Sequence, residues 1–151
     1  MASGVTNKGK AHMVHATFRR TSLPTNYYVA LVTSATAPDV DTNTLSELTE
    51  IAAGNGYTSG GYSLTPGATD FDTLTEDDTA DEGYTRIKDV VFTASGGALP
   101  SSGSGASYAV LTDDNGTVGS REVYAWWDLS AAQSVTSGQT LTLQDLEVNL
   151  G

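Results

Sequence analysis

The sequence contains few residues in arrangements that support catalysis. Gly61-Tyr62-Ser63-Leu64-Thr65 falls one residue short of a nucleophile elbow, in which a serine stands between two glycines on a sharp turn. Only His12 and His15 are able to serve as the base of a serine triad, and both lie in a basic N-terminal segment. The chain has no cysteine, no phosphate-binding loop and no dinucleotide fingerprint. We therefore expect no catalytic residues and no enzymatic activity.

Two groups of potential metal ligands stand out. His12 and His15 are three residues apart, but a tetrahedral zinc site needs further protein ligands, and none follows nearby. Residues 70–82 hold seven carboxylates, a ligand type that Ca²⁺ prefers: Asp70, Asp72, Glu76, Asp77, Asp78, Asp81 and Glu82. Their spacing fits no EF-hand. We therefore expect no metal and no cofactor, with Ca²⁺ as the minor alternative. The segment is more typical of a solvated acidic loop or of a docking surface for a neighbour's basic arm.

Charge is distributed unevenly along the chain. The net charge is −11, yet the first twenty residues carry +4 and the other 131 carry −15. A basic arm on an acidic body favours contact between copies or with another acidic surface. The acidic body also repels phosphate groups, which argues against direct nucleic-acid binding. The residues predicted to form this partner-binding arm are Lys8, Lys10, Phe18, Arg19 and Arg20.

The clearest structural signal is a hairpin over residues 107–129, with a polar turn at residues 113–116. Both tryptophans, Trp126 and Trp127, lie in its second arm and point to opposite faces if that arm is a strand. One is expected to anchor the core. The other, together with Tyr124, forms a possible exposed contact, which in a carbohydrate-binding module would be an aromatic platform.

The remaining elements follow from hydrophobic periodicity and turn residues. They are a helix over 8–20, a buried strand over 27–33, a helix over 42–53, a glycine-kinked strand over 57–64, a strand over 85–92, a Gly/Ser-rich loop over 94–106 and a strand over 140–150 with a β-bulge at 144–145. Such short strands and frequent turns predict an all-β domain with one or two short helices. We expect residues 1–5 to be a flexible lead, residues 1–20 a basic N-terminal arm, and residues 21–151 a single domain.

No targeting or membrane segment is expected. The first ten residues, MASGVTNKGK, contain no apolar run of the kind a signal peptide needs. No stretch approaches the ~20 apolar residues of a membrane-spanning helix. The sequence therefore predicts no membrane partner.

The order of segments carries a family resemblance. The segments are KGKAHMVHATFRR at 8–20, PTNYYVALVT at 24–33, GNGY at 54–57, IKDVVFTASGG at 87–97, YAVLTDDNG at 108–116 and VTSGQTLTLQDL at 135–146. This plan resembles small structural proteins of tailed double-stranded DNA bacteriophages, either capsid decoration (cement) proteins or tail- and fibre-associated proteins. The resemblance implies an antiparallel β-sandwich of jelly-roll or immunoglobulin-like type, usually in homo-oligomers. It also implies location in the virion, assembled in the cytoplasm of the bacterial host.

Within that resemblance we favour a capsid decoration protein that binds the outer head surface, with the major capsid protein and other copies of itself as partners. The chain has no fibre repeat and no long heptad region for trimerisation, which a fibre component would more often show. A tail or fibre component with a receptor or adaptor role is the alternative. A carbohydrate-binding module is the alternative from a different class.

Overall fold

The computed structural model describes residues 1–151 as ten strands and one helix. The elements are β1 (Ser3–Val5), α1 (Asn7–Phe18), β2 (Tyr27–Val32), β3 (Tyr62–Leu64), β4 (Thr73–Asp77), β5 (Glu82–Ile87), β6 (Val90–Thr93), β7 (Ala106–Thr112), β8 (Val123–Gln133), β9 (Thr140–Leu143) and β10 (Leu146–Leu150). Every strand pair is antiparallel. The predicted all-β class is confirmed. No helix of the chain combines the length and apolar character needed to cross a membrane.

The largest sheet has five strands in the order β1-β8-β7-β2-β3. Its centre is the predicted hairpin of β7 and β8, which pair from Ala106 opposite Gln133 to Thr112 opposite Val123. Strand β2 lies beside β7, and residues 29–32 of β2 are fully buried. This burial explains the continuous apolar run in β2, since a central strand covered on both faces has no polar side.

The remaining strands form a three-stranded sheet, β10-β5-β4, and a two-stranded sheet, β6-β9. Ile87 pairs with Leu146 and, three residues away on each strand, Val90 pairs with Leu143. The register is therefore unshifted, and the predicted β-bulge at 144–145 is wrong. Instead, the pairing between the two strands is interrupted over two residues of each strand, and it resumes in the same register. The predicted single strand over 85–92 is divided in the same way.

This matched break keeps apolar side chains on the core side. Residues three apart on a regular strand point to opposite faces. Yet Ile87 and Val90 are both buried, as are Leu143 and Leu146. Between these pairs a side-chain hydrogen bond joins the two strands: Gln144 Nε2 donates to Asp89 Oδ2 at 3.2 Å. The interruption therefore lets the apolar side chains on both sides of it point into the core in both strands.

The core consists of two clusters on opposite faces of the five-stranded sheet. The larger cluster contains side chains of all three sheets, including Leu31, Trp127, Ile87 and Leu141. The smaller cluster packs Leu45 and Leu48 against the second face, which contributes Ala30, Val32 and Val110. Each face of the central strands is thus covered by a different part of the chain.

The predicted helix over 42–53 is wrong, and only a 3₁₀ turn at Leu45–Glu47 forms. Thr44, which precedes this turn, makes no capping hydrogen bond with its side chain. The backbone is held instead by neighbouring segments: Ile51 N donates to Leu31 O of β2 at 3.0 Å, and Leu45 N donates to Arg121 O, just before β8, at 2.9 Å. These tertiary hydrogen bonds replace the helical ones while the leucines at helical spacing still reach the core.

The predicted flexible lead over residues 1–5 is also wrong. Strand β1 pairs with β8, with Ser3 opposite Trp127 and Val5 opposite Ala125. Val5 is buried in the larger core cluster. Residues 1–20 are therefore joined to the sheet and do not form an arm separate from residues 21–151.

The acidic segment is a hairpin, not the predicted loop. Strands β4 and β5 pair from Thr73 opposite Arg86 to Asp77 opposite Glu82. In the turn, Asp77 Oδ1 accepts hydrogen bonds from the backbone N–H groups of Thr79 and Ala80. Aspartate satisfies turn N–H groups in this way, and the carboxylate-rich composition concealed the alternation of the strands.

Candidate functional site

Helix α1 is fixed to the sheet at its first turn. Thr6 is fully buried, and its hydroxyl donates to the carbonyl oxygen of Val123 at 2.6 Å. The hydroxyl oxygen of Thr6 also accepts from Gly9 N at 2.9 Å and so caps the helix. A side chain at Gly9 would collide with the carbonyl oxygen of Tyr124. The helix is thus a fixed part of the molecular surface.

The outer side of α1 exposes large apolar side chains. Phe18 is 80% exposed and Val14 is 61% exposed, whereas the only buried residue of the helix is Gly9. Val14 and Phe18 are four residues apart, so they are neighbours along one side of the helix. Lys10 and Arg19 lie on the same surface. We refer to Lys10, Val14, Phe18 and Arg19 as the helix face.

The predicted arm residues fall into two groups. Lys8 forms an ion pair with Glu122, with Nζ 3.0 Å from Oε1. Lys10, Arg19 and Arg20 have no carboxylate within ion-pair distance. The structure therefore brings Lys10, Phe18 and Arg19 together on the helix face, and it places Lys8 in a neighbouring cleft.

That cleft is polar, has a volume of about 560 Å³ and separates α1 from the tip of the β7–β8 hairpin. His12 lies at its base, where its ring stacks on Tyr124 with centroids 4.3 Å apart. His12 Nε2 is 2.7 Å from the hydroxyl of Tyr27. Asp113 and Glu122 line the opposite wall. The fold thus gathers an imidazole and two carboxylates from distant parts of the sequence, a grouping that no local spacing could indicate.

Burial controls the ionisation of this cleft. Desolvation lowers the pKa of His12, and the nearby His15 lowers it further, against opposing effects of Glu122 and Asp113. Desolvation also raises the pKa of the Asp113 carboxyl, although backbone N–H groups of Asn115 and Glu122 donate to it. The cleft therefore favours a neutral imidazole at His12.

A nucleophile is not assembled beside His12. Ser22 also lines the cleft, but no hydrogen bond joins its hydroxyl to His12 or His15. His15 Nε2 donates instead to the carbonyl oxygen of Thr21. No group of three or more His, Asp or Glu side chains is placed to share a metal ion, here or along residues 70–82.

The acidic hairpin, residues 70–82, forms an uncompensated negative surface. Asp70 stands apart, because its Oδ1 is 2.6 Å from Lys88 Nζ and this contact lowers the pKa of the Asp70 carboxyl. The other six carboxylates take part in no ion pair. Leu74, on the edge strand β4, is 85% exposed. The hairpin therefore combines free negative charge with an exposed apolar side chain.

An apolar groove of about 470 Å³ runs between α1 and this hairpin. Met13 and Ala16 form its helix side, and Phe71 and Leu74 form its hairpin side. Tyr27 lies between them, with its ring edge-to-face to Phe71 at 5.9 Å between centroids. We call this depression the apolar groove. Its lining residues come from many separate positions between His12 and Val148, which is why sequence patterns did not reveal it.

The predicted aromatic contact at 124–127 does not form. Trp127 is 1% exposed and its Nε1 donates to the carbonyl oxygen of Glu147 at 2.9 Å. Tyr124 is buried as well. Only Trp126 is half-buried, and it packs closely over Gly4 of β1. Trp127 and Tyr124 as exposed contacts are therefore wrong, because both strand faces here are covered by core or helix.

Sequence inspection also missed the role of Arg121. This arginine is buried, and its guanidinium lies 3.9 Å from the centroid of the Tyr28 ring. Its Nε donates to the carbonyl oxygen of Asn115 at 3.0 Å. Arg121 thus holds the hairpin tip against β2, so the tip beside the polar cleft is ordered.

No protein-family profile, no curated protein and no solved structure matches this chain.

Proposed function

We propose that this chain is a structural protein of a bacteriophage virion, specifically a capsid decoration protein that binds the outer head surface. The observation that carries the proposal is the pair of surfaces on opposite flanks of the apolar groove. One is the cationic helix face and the other is the acidic hairpin, and each exposes a large apolar side chain. A protein that acts by assembly needs complementary surfaces of this kind and no catalytic centre. The segment order, which resembles phage structural proteins, supports the virion as its location.

The partners that fit this proposal are the major capsid protein and other copies of the chain. Four of its seven basic residues lie at positions 8–20, in or beside α1, and the rest of the chain carries −15, so the α1 region is the part that attracts an acidic capsid surface. In the alternative function, as a tail or fibre component, the same surfaces of the chain would bind a different virion protein. The carbohydrate-binding alternative has less support, because two of the three aromatic residues it needs are buried.

We also infer that the three sheets form a β-sandwich of the jelly-roll or immunoglobulin-like type. The support is the larger core cluster, which unites one face of the five-stranded sheet with both smaller sheets. Stacked sheets share their core side chains in this manner. An experimental structure tests the layer arrangement directly.

Antibody-gold labelling of intact virions tests the proposed function. Antibodies against the purified chain are applied to gradient-purified particles, with excess free chain as a competitor in the control. Label over the head supports a decoration protein. Label confined to the tail or its tip overturns the decoration role in favour of the alternative. Particles without label overturn the virion proposal.

Reconstitution provides a functional measurement. Heads that lack the chain should release DNA at a lower temperature than native heads, and added purified chain should restore the difference. The Phe18→Glu variant changes an exposed side chain and should restore less. Heads with equal thermal stability in the presence and absence of the chain would contradict a reinforcing role.

A further inference from the structure

We propose that copies of this chain associate head to tail, with the helix face of one copy seated in the apolar groove of the next. This contact goes beyond the proposed function, because it defines which two surfaces of the chain join and can be measured on the purified protein.

The projecting half of the contact is the helix face. Phe18 and Val14 are the most exposed large apolar residues of α1, and they stand one turn apart. An exposed aromatic side chain on a fixed helix is typical of interaction surfaces, since it removes much apolar area from water when a partner covers it. Phe18 is therefore the anchor that we assign to this contact.

The receiving half is the apolar groove. Its lining is predominantly apolar, with Met13, Phe71 and Leu74 among the side chains open to it. Its volume of about 470 Å³ lies in the ~300–1,000 Å³ range of pockets that enclose organic groups, so it accommodates an aromatic side chain. Leu74 stands at the rim and would pack over an inserted ring.

Charge complementarity identifies the occupant as a second copy. Lys10 and Arg19 flank Phe18 and have no carboxylate partner in their own molecule. The rim of the groove continues into the acidic hairpin, whose carboxylates at 72–82 are also without ion pairs. When Phe18 enters the groove of a neighbour, unpaired cations face unpaired anions. The same chain thus supplies both complementary surfaces.

The two surfaces of one molecule cannot meet each other. With 3.6 residues per turn, Val14 and Phe18 lie on the side of α1 opposite Met13 and Ala16, which line the groove. The surfaces therefore face in different directions. A contact between unlike patches is heterologous, so repeated association gives a closed ring or an open chain and not a two-fold dimer.

Two exposed substitutions test this geometry. Phe18→Glu removes the projecting anchor and leaves the groove intact, whereas Leu74→Glu damages the groove and leaves the helix face intact. Both side chains are largely exposed, so folding should persist, which circular dichroism and thermal unfolding verify. Val91→Glu, at an exposed apolar position of β6, is the matched control.

Sedimentation velocity of the purified full chain supplies the measurement. Wild type and Val91→Glu should self-associate equally, and each test variant should associate about 30-fold or more weakly, as for an interface hot spot. Mixed in equal amounts, Phe18→Glu and Leu74→Glu should form a one-to-one dimer, because each retains the surface that the other lost.

A wild-type chain that stays monomeric up to about 1 mM, at the weak end of specific association, would overturn the proposal. Variants that associate like wild type, or a mixture that forms no dimer, would overturn it as well. None of these results bears on whether antibodies label phage heads, so failure of this contact is distinguishable from failure of the proposed function.

Discussion

Several individual side chains join the separate sheets of this protein. Trp127 contributes most, since it is enclosed by the larger core cluster and donates its indole N–H to the carbonyl oxygen of Glu147 in β10. Trp126, its neighbour, is only half-buried, where it covers Gly4 of β1 and packs at the margin of the smaller core cluster. The two tryptophans should therefore contribute unequally to the free energy of unfolding, although they are adjacent in sequence.

Trp127→Ala should lower the free energy of unfolding by about 3–5 kcal/mol, because it empties a large core volume and leaves a backbone carbonyl without its donor. Trp126→Ala should cost about 1 kcal/mol, near the centre of the range for single substitutions. Urea unfolding followed by far-ultraviolet circular dichroism measures both. Equal losses for the two variants would contradict the assignment of Trp127 to the core.

Acidification should reduce the stability of the wild type through His12. Burial lowers the pKa of His12 in the folded state below its ordinary 6.5, so the unfolded chain takes up the proton first. The stability that neutral His12 contributes is present above about pH 6.5 and is lost as the pH falls below it. The raised pKa of Asp113 has the opposite effect on stability, because the folded chain then takes up the proton first. That effect falls at lower pH, since carboxyl groups titrate well below imidazoles.

Urea midpoints measured from pH 8 to pH 5 test this prediction. The wild type should lose more stability over that range than His12→Gln, which cannot titrate. Parallel pH profiles for the two proteins would exclude His12 as the source of the acid sensitivity.

At the scale of elements, two features stand out. One is the docking of α1 on the sheet. The other is the interruption of pairing that separates β5 from β6 and β9 from β10. The helix begins at a buried threonine cap and lies against β8 through Gly9. The break depends on Asp145, which adopts a left-handed backbone with φ of 54°. Both features rest on backbone geometry and not on side-chain hydrophobicity.

Gly9→Ala tests the docking of the helix. Alanine is favoured over glycine within a helix by about 1 kcal/mol, yet its methyl group here would meet the Tyr124 carbonyl and cost about 1–3 kcal/mol by overpacking. We expect a net loss of thermal stability. Gly116→Ala, which has open space around it, is the control and should change the melting temperature little. A stabilised Gly9→Ala protein would show that the helix is not tightly docked.

Asp145→Val tests the matched break. A β-branched residue is strained in the left-handed region, by about 1–2 kcal/mol, so the variant should unfold at lower urea concentration. Asp145→Gly should be tolerated. The control is Thr142→Val at an exposed position of the regular strand β9. Equal stability of the two valine variants would argue against a left-handed backbone at residue 145.

Sequence patterns predicted the elements that depend on local turn residues or that show a strong hydrophobic pattern. The β7–β8 hairpin was predictable from turn residues, strand β2 from its apolar run and helix α1 from its periodicity. Residues 42–53 were not, because their leucine spacing suits a helix while backbone hydrogen bonds to β2 and Arg121 hold them in an irregular path with a single 3₁₀ turn. The apolar groove and the polar cleft combine residues from distant segments, so only the folded chain defines them.

For the molecule as a whole, the charge of −11 is a source of repulsion that few ion pairs offset. Only three salt bridges form, and most acidic side chains of the hairpin remain free. Added salt should therefore raise the melting temperature, as the Debye length shortens from ~30 Å at 0.01 M to ~3 Å at 1 M.

Neutralising the hairpin tests the same repulsion without salt. A Glu76→Gln, Asp77→Asn double variant should melt higher than wild type in 0.01 M salt, and its melting temperature should respond less to added salt. Differential scanning calorimetry at several salt concentrations gives both quantities. A melting temperature that falls as salt is added would contradict net repulsion as the dominant long-range effect.

The pairing of β1 with β8 has a consequence for the order of events during biosynthesis. β1 leaves the ribosome more than a hundred residues before its partner strand β8. Until β8 emerges, Thr6 lacks the carbonyl groups that fix the helix, so α1 docks late although it is made early. Pulse-labelling hydrogen exchange during refolding should accordingly show amide protection in α1 no earlier than in β8.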